Sequence, residues 1–240
     1  MKVLWIAKRD LAANLNGIQG WVVISAVLAV SGILFNLFGL NGSERLSHEV
    51  LQQFYFTTGG VFNFAAILFA MRSFSEEKAN GTDVLLETSP ISDGSIVLGK
   101  WLAVMGMLTL LAVLSTYMPA LIFVNGKVSI GHILTGYVGM LGMSGAVAAL
   151  GVFTSSLTKS QVAAALLGAV VAGMFLLGFN LSSMVEPPFV DIVERFGMYN
   201  NNFMPFIEGR MPTRELVFFA SVIFGALFLT TRILEGRRFR

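Results

Sequence analysis

Long apolar runs alternate with short polar ones along the chain. Six runs, 18–40, 54–71, 101–124, 132–155, 161–184 and 215–232, hold no acidic or basic residue in their interiors. Each is close to the length a helix needs to cross a hydrocarbon core about 30 Å thick, about 20 residues. A charge at the centre of such a helix costs about 2.5–3.5 kcal/mol, so its absence six times over is informative. The runs are continuous and too long for the short alternating strands of a barrel. The pattern predicts an all-α, polytopic membrane protein with six transmembrane helices in a single domain over 1–240. Ahead of the first run, residues 1–16 are weakly amphipathic, with Leu4, Ala7, Leu11 and Leu15 on one face. They are expected to form an interfacial helix leading into span one.

Composition sharpens this picture. Hydrophobic residues make up 55% of the 240 positions and charged residues 12%, against about 25% charged in soluble domains. Mean hydropathy is +0.75. The absence of cysteine excludes disulfides, thiol catalysis and cysteine metal sites. A net charge of +2 gives no reason to expect nucleic acid. Lys8, Arg9 and Asp10 stand where a cleavable signal would need its apolar core.

Basic residues set the expected orientation. With the N-terminus in the cytoplasm, the inner segments hold Lys2, Lys8, Arg9, Arg72, Lys78, Lys100, Lys159, Arg232, Arg237, Arg238 and Arg240. The outer segments hold Arg45, Lys127, Arg195, Arg210 and Arg214. That is eleven against five, and the positive-inside rule places both termini inside.

Three short motifs fail on chemistry. "GSIVLGKW" at 94–101 approaches a phosphate-binding loop but has Trp101 where the Mg²⁺-ligating Ser or Thr belongs. Lys100 is expected to snorkel, and Trp101 to sit in the interfacial belt. No ATP or Mg²⁺ site is expected in this chain. "GMSG" at 142–145 has the look of an intramembrane serine nucleophile, but His48 and His132 lie at or beyond span ends. Gly136, Gly139 and Gly151 assign Ser144 to a small-residue packing surface instead. "HEVLQ" at 48–52 lacks the second histidine of a zinc-protease motif.

Span five carries two small-residue rows, Ala164/Gly168/Ala172 and Ala165/Ala169/Gly173. Such rows let helix backbones approach closely, within one subunit or between two. Ion-coupled carriers usually hold Asp, Glu or His inside the membrane, and these runs show none, nor a cluster of hydrogen-bonding groups. Energy for any uphill movement is expected to enter from outside the bilayer.

One charged island, "MRSFSEEKANGTDVLLETSP" at 71–90, interrupts this chain between spans two and three. Ser73 and Glu76 have capping-box spacing. Gly81 interrupts the helix they would start, and Thr82 and Asp83 are placed to cap a second short one through Glu87. Pro90 ends the unit. Val84, Leu85 and Leu86 on an acid-flanked turn fit a partner's groove better than water. A long polar segment at 185–214 precedes span six, with four of the six prolines.

The pattern R-S-F-S-E-E-K-x-x-G-T-x-x-x-L-x-x-x-P from Arg72 to Pro90, followed by "LGK" at 98–100, resembles the cytoplasmic loop of type-2 ABC transporter permeases. The subgroup containing gliding-motility permeases is the nearest in pattern, and "SSLTKSQ" at 155–161 and the segment from Phe206 to Arg240 are similar to it as well. The resemblance implies six spans and a second permease subunit, the same chain or a related one. It also implies a separate ATPase pair that binds the ATP and Mg²⁺. Residues 72–99 would be the cytoplasmic coupling loop, with Glu76, Glu77, Gly81, Thr82, Asp83, Leu85, Leu86 and Pro90 at the ATPase. Asp83 departs from the related loops, in which an apolar residue follows Gly-Thr. Residues 186–212 of the external loop would fold as re-entrant helices. The implied location is the bacterial plasma (inner) membrane. The expected role is the membrane subunit of an ATP-driven exporter, not itself an enzyme. The alternative is a non-transporting membrane scaffold of a motility or envelope complex that recruits the same ATPase.

Overall fold

A computed structural model of the chain describes residues 2–40, 46–82, 91–126, 128–176 and 197–238. These are helical, with turns and short connections and no strand among the described residues. Helix α1 (Lys2–Asn16) bends at Gly17 into α2 (Ile18–Leu34), which ends in a π-helical turn, Phe35–Leu40. Then come α3 (Ser47–Ala70), α4 (Arg72–Ala79), α5 (Asp93–Ser115), α6 (Tyr117–Asn125), α7 (Ile130–Leu157) and α8 (Gln161–Leu176). A second π-helical turn, Met198–Phe203, leads through α9 (Met204–Ile207) to α10 (Thr213–Arg238). Among the described residues, five stretches are long and apolar enough to cross a membrane, and α8 is a shorter apolar helix. The remainder of the fifth expected span, 177–184, lies outside the described residues.

Helix α7 is the axis of the bundle. From Met143 to Val152 every residue is buried. Small side chains make this possible, because glycine and alanine let neighbouring backbones come close. A Cβ on Gly136 would fall within 2.2 Å of the Tyr55 ring, and one on Gly151 within 2.7 Å of Ala70 Cβ. Helix α3 therefore runs alongside α7 in the same direction, with Tyr55 in its first half and Ala70 its last residue. Helix α5 runs the opposite way. Trp101 Nε1 donates to the Gly145 carbonyl at 3.0 Å, and Ser115 and Tyr137 hydroxyls meet at 3.1 Å. Trp101 thus faces into the bundle and not the interfacial belt. The indole N–H takes its acceptor from a helix backbone inside the bundle. Ser144 donates to Asn63 Oδ1 at 3.2 Å, both buried. This polar pair joins α3 to α7.

The two small-residue rows of α8 part company. Ala164, Gly168 and Ala172 are buried, with Gly168 close to Thr154 and Ile67. That row packs within the chain. Of the other row, Ala165 still packs against the core, while Ala169 is exposed and a Cβ on Gly173 would meet nothing within 4 Å, so this row turns away from the subunit's core toward its C-terminal end.

Helix α1 is only partly the face expected. Leu11 and Leu15 pack against the core, but Leu4 is exposed and Ile6 is buried in its place. A Cβ on Gly99 would lie 2.8 Å from Ile6 and one on Gly106 3.1 Å from Leu11. Helix α1 therefore follows α5 for two turns, and the glycines of α5 choose which residues of α1 go in.

Candidate functional site

The charged island begins where α3 gives way to α4. The structure does not form the expected capping box. The chain stays helical through Met71 with one turn residue, so Ser73 sits inside α4 with no side-chain cap. The cap comes from another helix. Ser155 Oγ on α7 accepts from the backbone amides of Phe74 at 3.0 Å and Ser75 at 3.1 Å. It donates to the Met71 carbonyl at 2.8 Å. One hydroxyl thus serves two amides at the start of α4 and a carbonyl that the Ser75 hydroxyl also reaches. The Lys78 ammonium donates to the carbonyl of the next residue along, Ser156. Helix α4 closes with a Schellman arrangement. Gly81 adopts φ +69°, the Thr82 amide returns to the Glu77 carbonyl at 2.9 Å and the Gly81 amide to Lys78 at 3.4 Å.

Replacing Ser155 with alanine should strip the cap from α4 while leaving α7 intact. Caps of this kind are worth about 1 kcal/mol. The expected readout is faster amide exchange at residues 72–79, with the rest of the bundle unchanged.

Beside α4 lies a compact group of charges. Lys100 is almost wholly buried, 2% exposed, and does not snorkel. It stands two turns inside α5, which starts at Asp93, and α1 covers that face. Its ammonium reaches Glu77 Oε1 at 2.8 Å and Asp10 Oδ2 at 3.4 Å. It also donates to the Ser73 carbonyl at 2.6 Å. Three acceptors match its three protons. The Phe74 ring lies 5.0 Å away on another side. Arg9 closes the group, 2.8 Å from Asp10 and 3.3 Å from Glu77. Two cations and two anions therefore tie α1, α4 and α5 together at one end of the bundle. A cleft of about 340 Å³ opens beside them, lined also by Arg72, Glu76 and Asn80. Glu77 Oε2 is buried there without a hydrogen-bond partner among the described residues.

The residues assigned to the partner interface are thus divided. Glu77 turns inward and is part of the ion group. Glu76 is more exposed and forms a bidentate pair with Arg72 at 2.9 Å. Gly81 and Thr82 are exposed. Asp83, Leu85, Leu86 and Pro90 lie outside the described residues, as does the helix expected from Thr82 through Glu87. Sequence reasoning missed the partnership of Asp10, Arg9 and Lys100. The available signal was the distance of Lys100 from any helix start: seven residues into a helix, a lysine has no short route to water.

At the opposite end, the turn Met198–Phe203 and α9 fold back against the bundle. Phe203 and Phe206 are fully buried, against Gly59 and Gly139 respectively. His132 Nε2 lies 2.6 Å from the Ile207 carbonyl, so this histidine fastens α9.

The sequence profile described as ABC-2 family transporter protein matches residues 7–227, from the cationic turn of α1 to just past the middle of α10. The chain belongs to the ABC-2 transporter family. Among curated proteins no sequence matches it. As an ABC-2 protein it is a multi-pass membrane subunit of an ABC transporter, and the family implies association with an ABC ATPase. In this ABC-2 subunit the ion group lies at the root of the island between the second and third spans.

Proposed function

We propose that this subunit converts movement of a cytoplasmic ATPase into movement of its spans, and that residues 72–99 receive that movement. The supporting observation is the way α4 is held. It is continuous with α3, capped by α7 through Ser155, and ion-paired to α5 and α1 through Glu77 and Lys100. A displacement of this short helix therefore acts on four helices at once. Glu76, Gly81, Thr82, Asp83, Leu85, Leu86 and Pro90 form the partner-facing side. Glu77 serves as an internal strut. ATP and Mg²⁺ bind to the ATPase, and this chain does no chemistry. Both termini lie in the cytoplasm of a bacterial plasma membrane. A second permease subunit completes the path and packs on the outward end of the row Ala165/Ala169/Gly173, at Ala169 and Gly173. Residues 197–212 re-enter the outer leaflet, and movement is outward.

Reconstitution tests this reading. The subunit alone should neither hydrolyse ATP nor respond to an ion gradient, and activity should appear only with the ATPase. Replacing Leu85 and Leu86 together with alanine should weaken association with the ATPase tenfold or more, since each buried leucine is worth about 1.5–3 kcal/mol. Unchanged co-purification would move the contact elsewhere, and gradient-driven transport by the lone subunit would sink the mechanism.

A further inference from the structure

The cleft beside the ion group holds hydrogen-bonding capacity that the group itself does not use. Lys100 commits its protons to Glu77, Asp10 and the Ser73 carbonyl. Lys100 and Arg9 meet the same oxygen of Glu77, Oε1, and Oε2 is buried with no partner among the described residues. The arginines show the converse. Arg9 gives Nε to Asp10 and Nη2 to Glu77, and Arg72 gives Nε and Nη2 to Glu76. Neither Nη1 has a partner among the described residues. Glu77, Arg9 and Arg72 all line the one cavity of about 340 Å³. It therefore combines a carboxylate oxygen that lacks a donor with two guanidinium groups that keep protons for an acceptor.

The complement of that arrangement is a ligand carrying both signs of charge. A metal ion would face three cationic side chains, Arg9, Arg72 and Lys100. A simple anion would leave Oε2 unanswered. A single lysine or aspartate of a protein partner would answer one half and not the other. The level of the cleft narrows the choice further. Its floor, Phe69, Ala103 and Val104, is buried and belongs to the second and third apolar runs, whereas Arg72, Glu76 and Glu77 belong to the charged island. The cavity thus straddles the boundary between apolar and polar chain, the level at which lipid headgroups lie.

We propose that this cleft is a binding site for a zwitterion made of a primary ammonium and a phosphodiester, the headgroup of an ethanolamine phospholipid or its water-soluble counterpart. The ammonium donates to Glu77 Oε2, and the phosphate oxygens accept from Nη1 of Arg9 and Arg72. The Glu77 side chain keeps 21% of its surface exposed, and a small rotation about its terminal torsion, a soft one, presents Oε2 to the cavity. A choline headgroup does not suffice, because its quaternary nitrogen has no proton to donate. The bound headgroup adds a link across α1 and α4, which the ion group already joins. The site stands on this geometry and not on the ATPase coupling proposed above.

The test uses the full chain in detergent, with bound lipid counted by native mass spectrometry. Phosphatidylethanolamine, its monomethyl and dimethyl forms and phosphatidylcholine are titrated with identical acyl chains. Glycerophosphoethanolamine is titrated as the soluble form. One equivalent of phosphatidylethanolamine should bind about tenfold more tightly than phosphatidylcholine, the worth of one charge-assisted hydrogen bond. The loss should fall at the third methyl group, which removes the last N–H. Glu77→Gln should abolish the preference. Arg72→Gln should weaken both lipids about tenfold, because both carry the phosphate. The methyl series needs no variant, so it decides even where Glu77→Gln disturbs the ion group. Equal affinity for the two lipids overturns the proposal, as does a preference that fades evenly along the series, or unchanged binding by Arg72→Gln. Absence of any lipid preference, with loss of the ATPase from Arg72→Gln, would assign the cleft to the protein partner instead. Competition by glycerophosphoethanolamine as strong as by the lipid identifies the free zwitterion as the ligand, and binding of the lipid alone identifies the membrane as its source.

Discussion

Lys100→Met should cost the subunit about 3 kcal/mol of stability and disconnect it from its ATPase. Removing one member of a buried ion group leaves the others charged and uncompensated, which costs about 3–5 kcal/mol when burial is complete. Here Lys100 is 2% exposed, but Glu77 and Asp10 keep 21% and 19%, so the lower end applies. The Ser73 carbonyl also loses its donor. The measurement is the unfolding midpoint in detergent, beside ATPase activity of the reconstituted complex. The informative control is the triple variant Lys100→Met, Glu77→Gln, Asp10→Asn. Deleting both signs of charge together should recover most of the stability, because no buried charge is then stranded. It should not recover coupling if the strut carries displacement. Recovery of both would reduce the ion group to a packing device.

The second large effect is expected at the other end of the bundle. Gly136→Ala places a methyl group 2.2–2.6 Å from three atoms of the Tyr55 ring. That ring cannot step aside cheaply. It is fully buried, edge-on to Phe54 and Tyr137, and its hydroxyl donates to the Ile133 carbonyl at 2.8 Å. Overpacking costs about 1–3 kcal/mol, and the strained hydrogen bond adds about 1 kcal/mol. The expected result is a lowered unfolding midpoint and poor recovery from the membrane. Tyr55→Ala should offset part of the loss in the double variant, because the two residues share one space. Additive losses would mean that Gly136 acts through something other than the ring.

The fold class and the spans were legible because lipid enforces a simple rule. A backbone in hydrocarbon must satisfy its own polar groups, so long charge-free runs become helices. The same rule hides what the helices do to each other. The apolar runs have similar composition all round, and nothing in "QVAAALLGAVVAGMFL" shows that Gly168 faces Thr154 while Gly173 faces outward. The candidate site was legible as a place, the island at 71–90, and not as an arrangement. Ser73 and Glu76 had the spacing of a cap, but a cap requires a helix that starts there, and α3 was already running. The serine that does the capping lies 81 residues away from Phe74. Lys100 looked like an interfacial residue because its partner Asp10 is on a different helix, 90 residues away. Long-range polar pairs leave no periodicity to read.

That separation has a consequence for synthesis. Helix α4 leaves the ribosome well before Ser155 exists, and translation at about 5–20 residues per second puts roughly 4–16 seconds between them. Throughout that interval the α3–α4 junction lacks the Ser155 hydroxyl for its amides, while Lys100, made about a third of the way through it, can pair with Asp10 for the remainder. The island's first helix is therefore braced on one side before the other. It is held on both sides only once the fourth span has been made, so under the proposed function a chain that stalls midway offers the ATPase a loose handle and a finished one a firm grip.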